Sequence, residues 1–213
     1  VQEIDIIFDK LLKNNKSLGI ELNYVNNFTL LIAILLSAQA TDKIVNRATE
    51  SLFKEYDTPE KIILLGFENL LDYIKIIGLY KTKAKNIISL CRILIKEYAS
   101  CVPDNFEDLI KLPGVGRKTA NVYLSNVHNM PLIGVDTHVY RVAHRIGLAS
   151  SKSFLKTELE LYKIIPQNYL PVANSLLVLH GRYVCTAKKP QCEKCCINKE
   201  CKKIFSKDNK IGD

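Results

Sequence analysis

No stretch of this chain is both long and apolar enough to span a bilayer. The richest runs, Phe28 to Ala38 and Leu170 to Leu179, are too short or too polar beside the roughly 20 residues that a spanning helix needs. A membrane partner is therefore not expected. Also missing are alternating apolar and polar runs of strand length, internal repeats and low-complexity linkers. Helices are left as the material of the fold. The first residues, with Glu3 and Asp5, show no arginine-rich or signal-like character, so an intracellular protein is expected, cytoplasmic and nucleoid-associated if prokaryotic. The chain lacks both glycine loops that cradle mononucleotides, G-x-x-x-x-G-K-S/T and G-x-G-x-x-G after a strand.

What is present is basic. Thirty Lys and Arg against 22 Asp and Glu give a formal charge of +8 over 213 residues, which favours an acidic partner such as DNA or RNA. A chain of this length can bury a real core in one large or two small domains. Seven cysteines in a reducing compartment do not suggest a disulfide framework, so regular spacing among them is tested first as metal ligation.

Apolar residues recur at helical spacing nearly throughout: Ile4, Ile7, Phe8, Leu11 and Leu12 first, then Leu30, Leu31, Ile34 and Leu35 in a more buried run. The fold class is all-α. Asn27 is expected to cap the second helix, Thr41 before Asp42 the third, and Thr58 before Pro59 a fourth. Further helices are expected over Glu68 to Lys75, Lys81 to Ala99, Asp104 to Lys111, Gly116 to Val127, Thr137 to Ile146, Lys152 to Ile164 and Ala173 to Tyr183. Asn129 to Gly134 reads as a crossing between two helical lobes. The tail after Tyr183, rich in Cys, Lys and Pro, calls for an organiser other than a hydrophobic core.

Three features carry chemistry. The first is Leu112-Pro113-Gly114-Val115-Gly116-Arg117-Lys118-Thr119-Ala120-Asn121. Pro113 and Gly114 break one helix, Gly116 permits a close backbone approach, and Arg117 begins another. Amides and the positive end of the macrodipole at such a helix start form an anion site suited to a nucleic-acid backbone. The bland alternative is a hairpin whose glycines serve packing alone. Lys118, read as partly buried beside Arg117, is expected to have a disfavoured ammonium form and hence a nucleophilic amine; the alternative is a solvated lysine on phosphate.

The second feature is Asp136, immediately before Thr137-His138, where it can cap a helix. The third is Cys185, Cys192, Cys195 and Cys201, a C-x6-C-x2-C-x5-C array. One tight pair with wide flanking gaps fits a four-iron cluster better than tetrahedral zinc, with Cys196 open as a substitute for Cys195. Lys188 and Lys189 lie in the long gap and would present positive charge. Cys91 and Cys101 read as small buried hydrophobes.

Taken in order, the hairpin, Val135-Asp136-Thr137-His138, Leu179-His180-Gly181-Arg182 and the four-cysteine loop resemble the endonuclease III group of helix-hairpin-helix DNA glycosylases. Leu36-Ser37-Ala38-Gln39-Ala40-Thr41-Asp42 adds to the match, which covers essentially the whole chain. The resemblance implies a six-helix barrel domain over 22–132 and a second domain of 1–21 with 133–213 around a [4Fe-4S] cluster. It implies a monomer acting on double-stranded DNA that contains a damaged base or an abasic site. Removal of an oxidised pyrimidine would be followed by strand cleavage. Lys118 and Asp136 would be catalytic; Gly114, Val115, Gly116, Arg117, His138 and Lys189 would contact DNA. Gln39 would face the orphaned base and Leu79 would act as the wedge beside it. An adenine-specific glycosylase of the same fold fits less well, since its small nucleophile-position residue is Lys118 here and its second-helix glutamate is Ala33. A noncatalytic hairpin module and a zinc-stabilised domain are the other readings.

Overall fold

The computed structural model describes residues 2–15 and 19–205, and among them there are helices and turns but no strand. In chain order the helices are α1 (Gln2–Asn14), α2 (Asn27–Ser37), α3 (Asp42–Thr49), α4 (Leu52–Glu55), α5 (Pro59–Leu65) and α6 (Phe67–Ile74). They continue as α7 (Tyr80–Glu97), α8 (Phe106–Leu109), α9 (Arg117–His128), α10 (Thr137–Ile146), α11 (Phe154–Ile164) and α12 (Leu170–Tyr183). A short 3-10 turn follows at Cys192–Lys194. No helix among the described residues is long and apolar enough to cross a membrane. The chain divides into two compact units, 20–128 and 1–19 with 129–213. Of the spans expected for the two domains, residues 1, 16–18 and 206–213 lie outside the described residues.

The unit of residues 20–128 is built around α2, whose residues Phe28 to Leu36 are all buried. A helix apolar on every side must be enclosed, and α3, α7 and α9 pack against it. Its cap is Asn26, one residue before the expected Asn27. Asn26 Oδ1 accepts from Thr29 N at 2.9 Å and Thr29 Oγ1 accepts from Asn26 N at 2.9 Å, which satisfies two helix-start amides reciprocally. Asn26 Nδ2 also donates to Asp57 O at 2.9 Å, tying the start of α2 to the turn before α5. Thr41 and Thr58 cap α3 and α5 as their sequence positions suggest.

Several sequence boundaries shift by one to three residues, as where α11 begins at Phe154 and α12 at Leu170, and two changes have local causes. The expected helix over Asp104 to Lys111 shrinks to α8, because Asn105 caps it and Lys111 and Leu112 already turn, accepted by Asp108 O and Leu109 O. Helix α7 stops before Ala99, which with Ser100 takes a left-handed backbone at φ +48° and +63°. Cys91 is buried on α7, and burial pushes its thiol up to about 12. Cys101 is exposed, contrary to the expectation, because that left-handed pair has already turned the chain outward.

In the other unit, Phe8 and Leu11 of α1 meet Val139, Val142 and Ile146 of α10 and Leu170, Ala173, Leu176 and Leu177 of α12 in one core. Tyr169 stacks on Phe8 with centroids 5.5 Å apart and donates to Asp9 Oδ1 at 2.6 Å. Gly181 lets α12 approach α10 closely: a Cβ there would lie 3.0 Å from Val142 Cγ2 and 3.1 Å from His138 Cβ.

The double duty of Asn26 sets a stability prediction. Asn26→Ala removes the cap and the link to Asp57, and should cost about 1–2 kcal/mol in chemical denaturation; an unchanged midpoint would show that neighbouring groups replace it.

Candidate functional site

The turn between α8 and α9 is shaped by lack of room. Gly114 has φ +81°, and a Cβ on it would lie 2.9 Å from Asn86 Nδ2 and 3.0 Å from Leu35 Cδ1. The turn therefore lies flat on α7 and α2. Leu112 and Val115 are buried on either side of it, and Val115 N donates to Leu112 O at 3.0 Å. A partner could meet Val115 only through its backbone. Gly116 differs from Gly114: a Cβ there would meet nothing within 4 Å. Its carbonyl accepts from Ala120 N at 3.0 Å, which makes it the residue that caps α9.

Helix α9 buries Ala120, Asn121, Tyr123 and Leu124, so its first two residues face outward. Arg117 stacks over the Phe106 ring at 5.3 Å, bracing the two helices of the hairpin. Lys118 is exposed, which corrects the expectation of partial burial: its helical phase is opposite to the buried face.

Gln39 and Leu79 lie on adjacent turns of the same unit. Both are non-glycine residues in the left-handed region, at φ +55° and +59°, a conformation that costs an L residue roughly 1–2 kcal/mol. Leu79 is 62% exposed, so it is not core packing. A Cβ on Gly78 would lie 3.9 Å from Gln39 O.

In the other unit, Asp136 caps α10 as its sequence position suggests, with Oδ1 accepting from His138 N and Val139 N at 2.8 Å each. His138 is half-buried, with Nδ1 3.2 Å from Arg141 Nη2.

The cysteine tail forms a partly open pocket lined by Cys185, Cys192, Cys195 and Cys201 together with Arg145, His180, Asn198 and Phe205. Cys196 lies instead near the ion pair that Lys10 makes with Glu200 at 2.7 Å. No three His, Cys, Asp or Glu side chains among the described residues converge as ligands of a single metal ion. Four thiols lining one pocket suit a polynuclear centre. Burial pushes Cys195 up to about 11 and raises Cys201, so ligation would have to release their protons.

The residue that sequence reasoning missed is Arg145. It is 8% exposed, and its guanidinium donates to Thr186 O at 2.7 Å, Ala187 O at 3.0 Å and Cys185 Sγ at 3.5 Å. Its carbonyl accepts from Ile204 N at 3.1 Å, and Phe205 lies over the guanidinium at 5.2 Å. One turn earlier, Arg141 donates to Cys185 O at 3.1 Å and Gly181 O at 2.8 Å. The tail also reaches the core through Ile197, fully buried, so a hydrophobic anchor contributes after all. Lys188 and Lys189 are exposed, and Lys189 O accepts from Thr186 Oγ1 at 2.7 Å.

Residues 32–167 match the model of the HhH-GPD superfamily of base excision DNA repair proteins. The chain is 56% identical to endonuclease III of Rickettsia felis, over 94% of each chain. It is 46% identical to that of Escherichia coli, over 92% of each. Among solved structures, a trapped covalent intermediate of an endonuclease III with DNA superposes with a TM-score of 0.89 at 43% identity, covering 95% of both chains.

The two hairpin glycines should respond differently to a methyl group. Gly114→Ala should lose about 2–4 kcal/mol from its backbone conformation and overpacking against Asn86 and Leu35. Gly116→Ala should unfold within about 0.5 kcal/mol of the wild type. Equal melting temperatures for the two variants would contradict this packing.

Proposed function

Because the chain belongs to the HhH-GPD superfamily of base excision DNA repair proteins, we propose that it is a DNA glycosylase and abasic-site lyase that removes oxidised pyrimidines. It acts as a monomer on double-stranded DNA, in a bacterial cytoplasm. The observation that carries this reading is the position of Lys118. It is exposed in the first turn of α9, directly after a glycine turn packed flat against its own unit. A relative trapped covalently with DNA needs such a nucleophile.

A base stacked in a duplex shields its sugar, so the nucleotide is extruded first. Backbone amides at Gly116 and the start of α9, with the positive macrodipole end, hold a phosphate beside Lys118. Arg117 and Lys189 add charge along the strand, and His138 offers a ring nitrogen to phosphate. Since Lys118 is open to solvent, the bound DNA itself must exclude water before the amine reacts. The neutral amine attacks C1′, the bond from C1′ to the base nitrogen breaks, and the base leaves with a proton. The C1′–O4′ bond then breaks, O4′ taking the remaining amine proton, and the resulting imine acidifies C2′. Loss of a C2′ proton then drives β-elimination, breaking C3′–O and releasing the 3′ phosphate. Asp136 is assigned the carboxylate role, stabilising positive charge at the sugar. Its capping bonds use Oδ1 and fix the carboxylate plane.

Cys185, Cys192, Cys195 and Cys201 would hold a [4Fe-4S] cluster, which supplies a structural tie for the tail when bound. Arg145 and the Lys203 amide place donors on the sulfurs of Cys185 and Cys201, at 3.5 Å and 3.4 Å.

Borohydride reduction of the imine gives the decisive measurement. Wild type should form a covalent adduct with abasic-site duplex, and Lys118→Gln should lose it while binding the duplex with unchanged affinity. An adduct of equal yield in the variant would remove Lys118 from its role. Separately, Cys192→Ser should lose iron and acid-labile sulfide, with DNA binding falling in proportion; unchanged iron, or stoichiometric zinc in the wild type, would overturn the ligand assignment.

A further inference from the structure

Within residues 20–128, the reading above leaves one buried cation unused. Lys83 lies in the first turn of α7 with 6% of its surface exposed. Its Nζ donates to Leu36 O at 2.9 Å and Ala38 O at 2.6 Å. These carbonyls end α2, where the macrodipole is negative and the last carbonyls lack helical donors. Burial lowers the pKa of the Lys83 ammonium below the ordinary lysine value, so a charge is retained here against desolvation.

What the ammonium holds is the entry to a strained turn. Gln39, immediately after Ala38, has φ +55°, and its side chain is exposed. The main chain of Lys83 reaches the second strained turn: its N–H donates to Leu79 O at 3.0 Å, and Leu79, at φ +59°, caps α7. A Cβ on Gly78 would come within 3.9 Å of Gln39 O, so the two turns are neighbours. A single residue thus ties both, one through its side chain and the other through its backbone. Exposed residues keep a left-handed backbone only where surrounding structure over-determines it.

We propose that Lys83 is a positioning residue for duplex entry. Its ammonium fixes the 36–39 turn against the start of α7, so that Gln39 and Leu79 are presented together, already ordered, to the gap left by an extruded nucleotide. This rests on the glycosylase reading given under Proposed function. Filling a vacancy in stacked DNA already costs the unstacking of a base step. If the filler had also to be ordered at that moment, the entropy of ordering would oppose entry. The buried ammonium removes that second cost before DNA arrives.

The test places 2-aminopurine opposite an abasic site in duplex DNA, so that one substrate reports both borohydride-trapped adduct and the surroundings of the orphaned base. In Lys83→Met, with folding verified by circular dichroism, the trapping rate should fall at least about tenfold and the change in 2-aminopurine fluorescence should disappear. Affinity for undamaged duplex should hold, and Lys83→Arg should restore most of both signals. A helix cap that only stabilised the fold would lower the melting temperature and leave the fluorescence change of folded protein intact.

A double-mutant cycle supplies an independent measure. Lys83→Gln combined with Leu79→Ala should lose little more than the worse single variant, because both act through the same turn; losses that multiply would overturn the proposal. This cycle decides the matter if Lys83→Met does not fold. A wild type that traps no abasic DNA would instead remove the glycosylase reading, and this inference with it. A wild type that traps, beside folded Lys83 variants with wild-type rates and fluorescence, would remove this inference alone.

Discussion

A side chain at Gly114 would have to displace Asn86 and Leu35, and the start of α9 depends on that fact. The turn after α8 lies so close to Asn86 and Leu35 that a methyl group would collide with both, and its backbone is left-handed. The next helix can therefore start in one place only relative to α2 and α7. Because α9 buries Ala120 and Leu124, its phase is then fixed, and Arg117 and Lys118 must face outward. A reactive amine on the first turn of a packed helix is held far more tightly than one on a loop. The cation–π contact of Arg117 with Phe106 stiffens the same hairpin from its outer side. Exposure of Lys118 and rigidity of its backbone arise from one constraint.

That constraint was half legible in the sequence. Two glycines flanking Val115 mark a tight turn and a helix start, and the pattern places both correctly. It does not say which glycine lacks room, because Asn86 and Leu35 become neighbours only on folding. The same division runs along the chain. Thr41, Thr58 and Asp136 are local caps, and residues that make local hydrogen bonds can be read locally. Thr137–Ile146 begins and ends where its caps and period indicate. Asn26 and Asn27 are the same residue type, and only the reciprocal bond with Thr29 separates them. The helix over Asp104 to Lys111 was overestimated because apolar spacing continues through the turn residues Lys111 and Leu112.

The side chains that sequence reasoning misjudged are those whose role depends on distant partners. Lys118 was expected to be partly buried, from its basic neighbour and helical position, yet burial depends on what packs against that turn. Nothing in the spacing around Arg145 or Lys83 sets either apart from other basic residues on amphipathic helices. Both are buried. Their partners lie more than forty residues away in sequence, at Thr186 and Ala187 in one case and Leu36 and Ala38 in the other.

These two cations share a physical logic. Each donates to backbone carbonyls at the edge of a functional loop, and hydrogen bonds from a charged donor contribute about 1.5–3 kcal/mol where neutral ones give about 1. A carbonyl belongs to the main chain, so the bond fixes the path of the loop itself and not merely one side chain. At Arg145 the path is that of residues 185–187, which carry the first cysteine of the pocket. At Lys83 it is the turn that carries Gln39. Desolvating the cation is unfavourable, and only an ordered loop can offset it. Buried ammonium and guanidinium groups therefore couple the order of each loop to the packing of its unit, so that neither loop can loosen without stranding a charge.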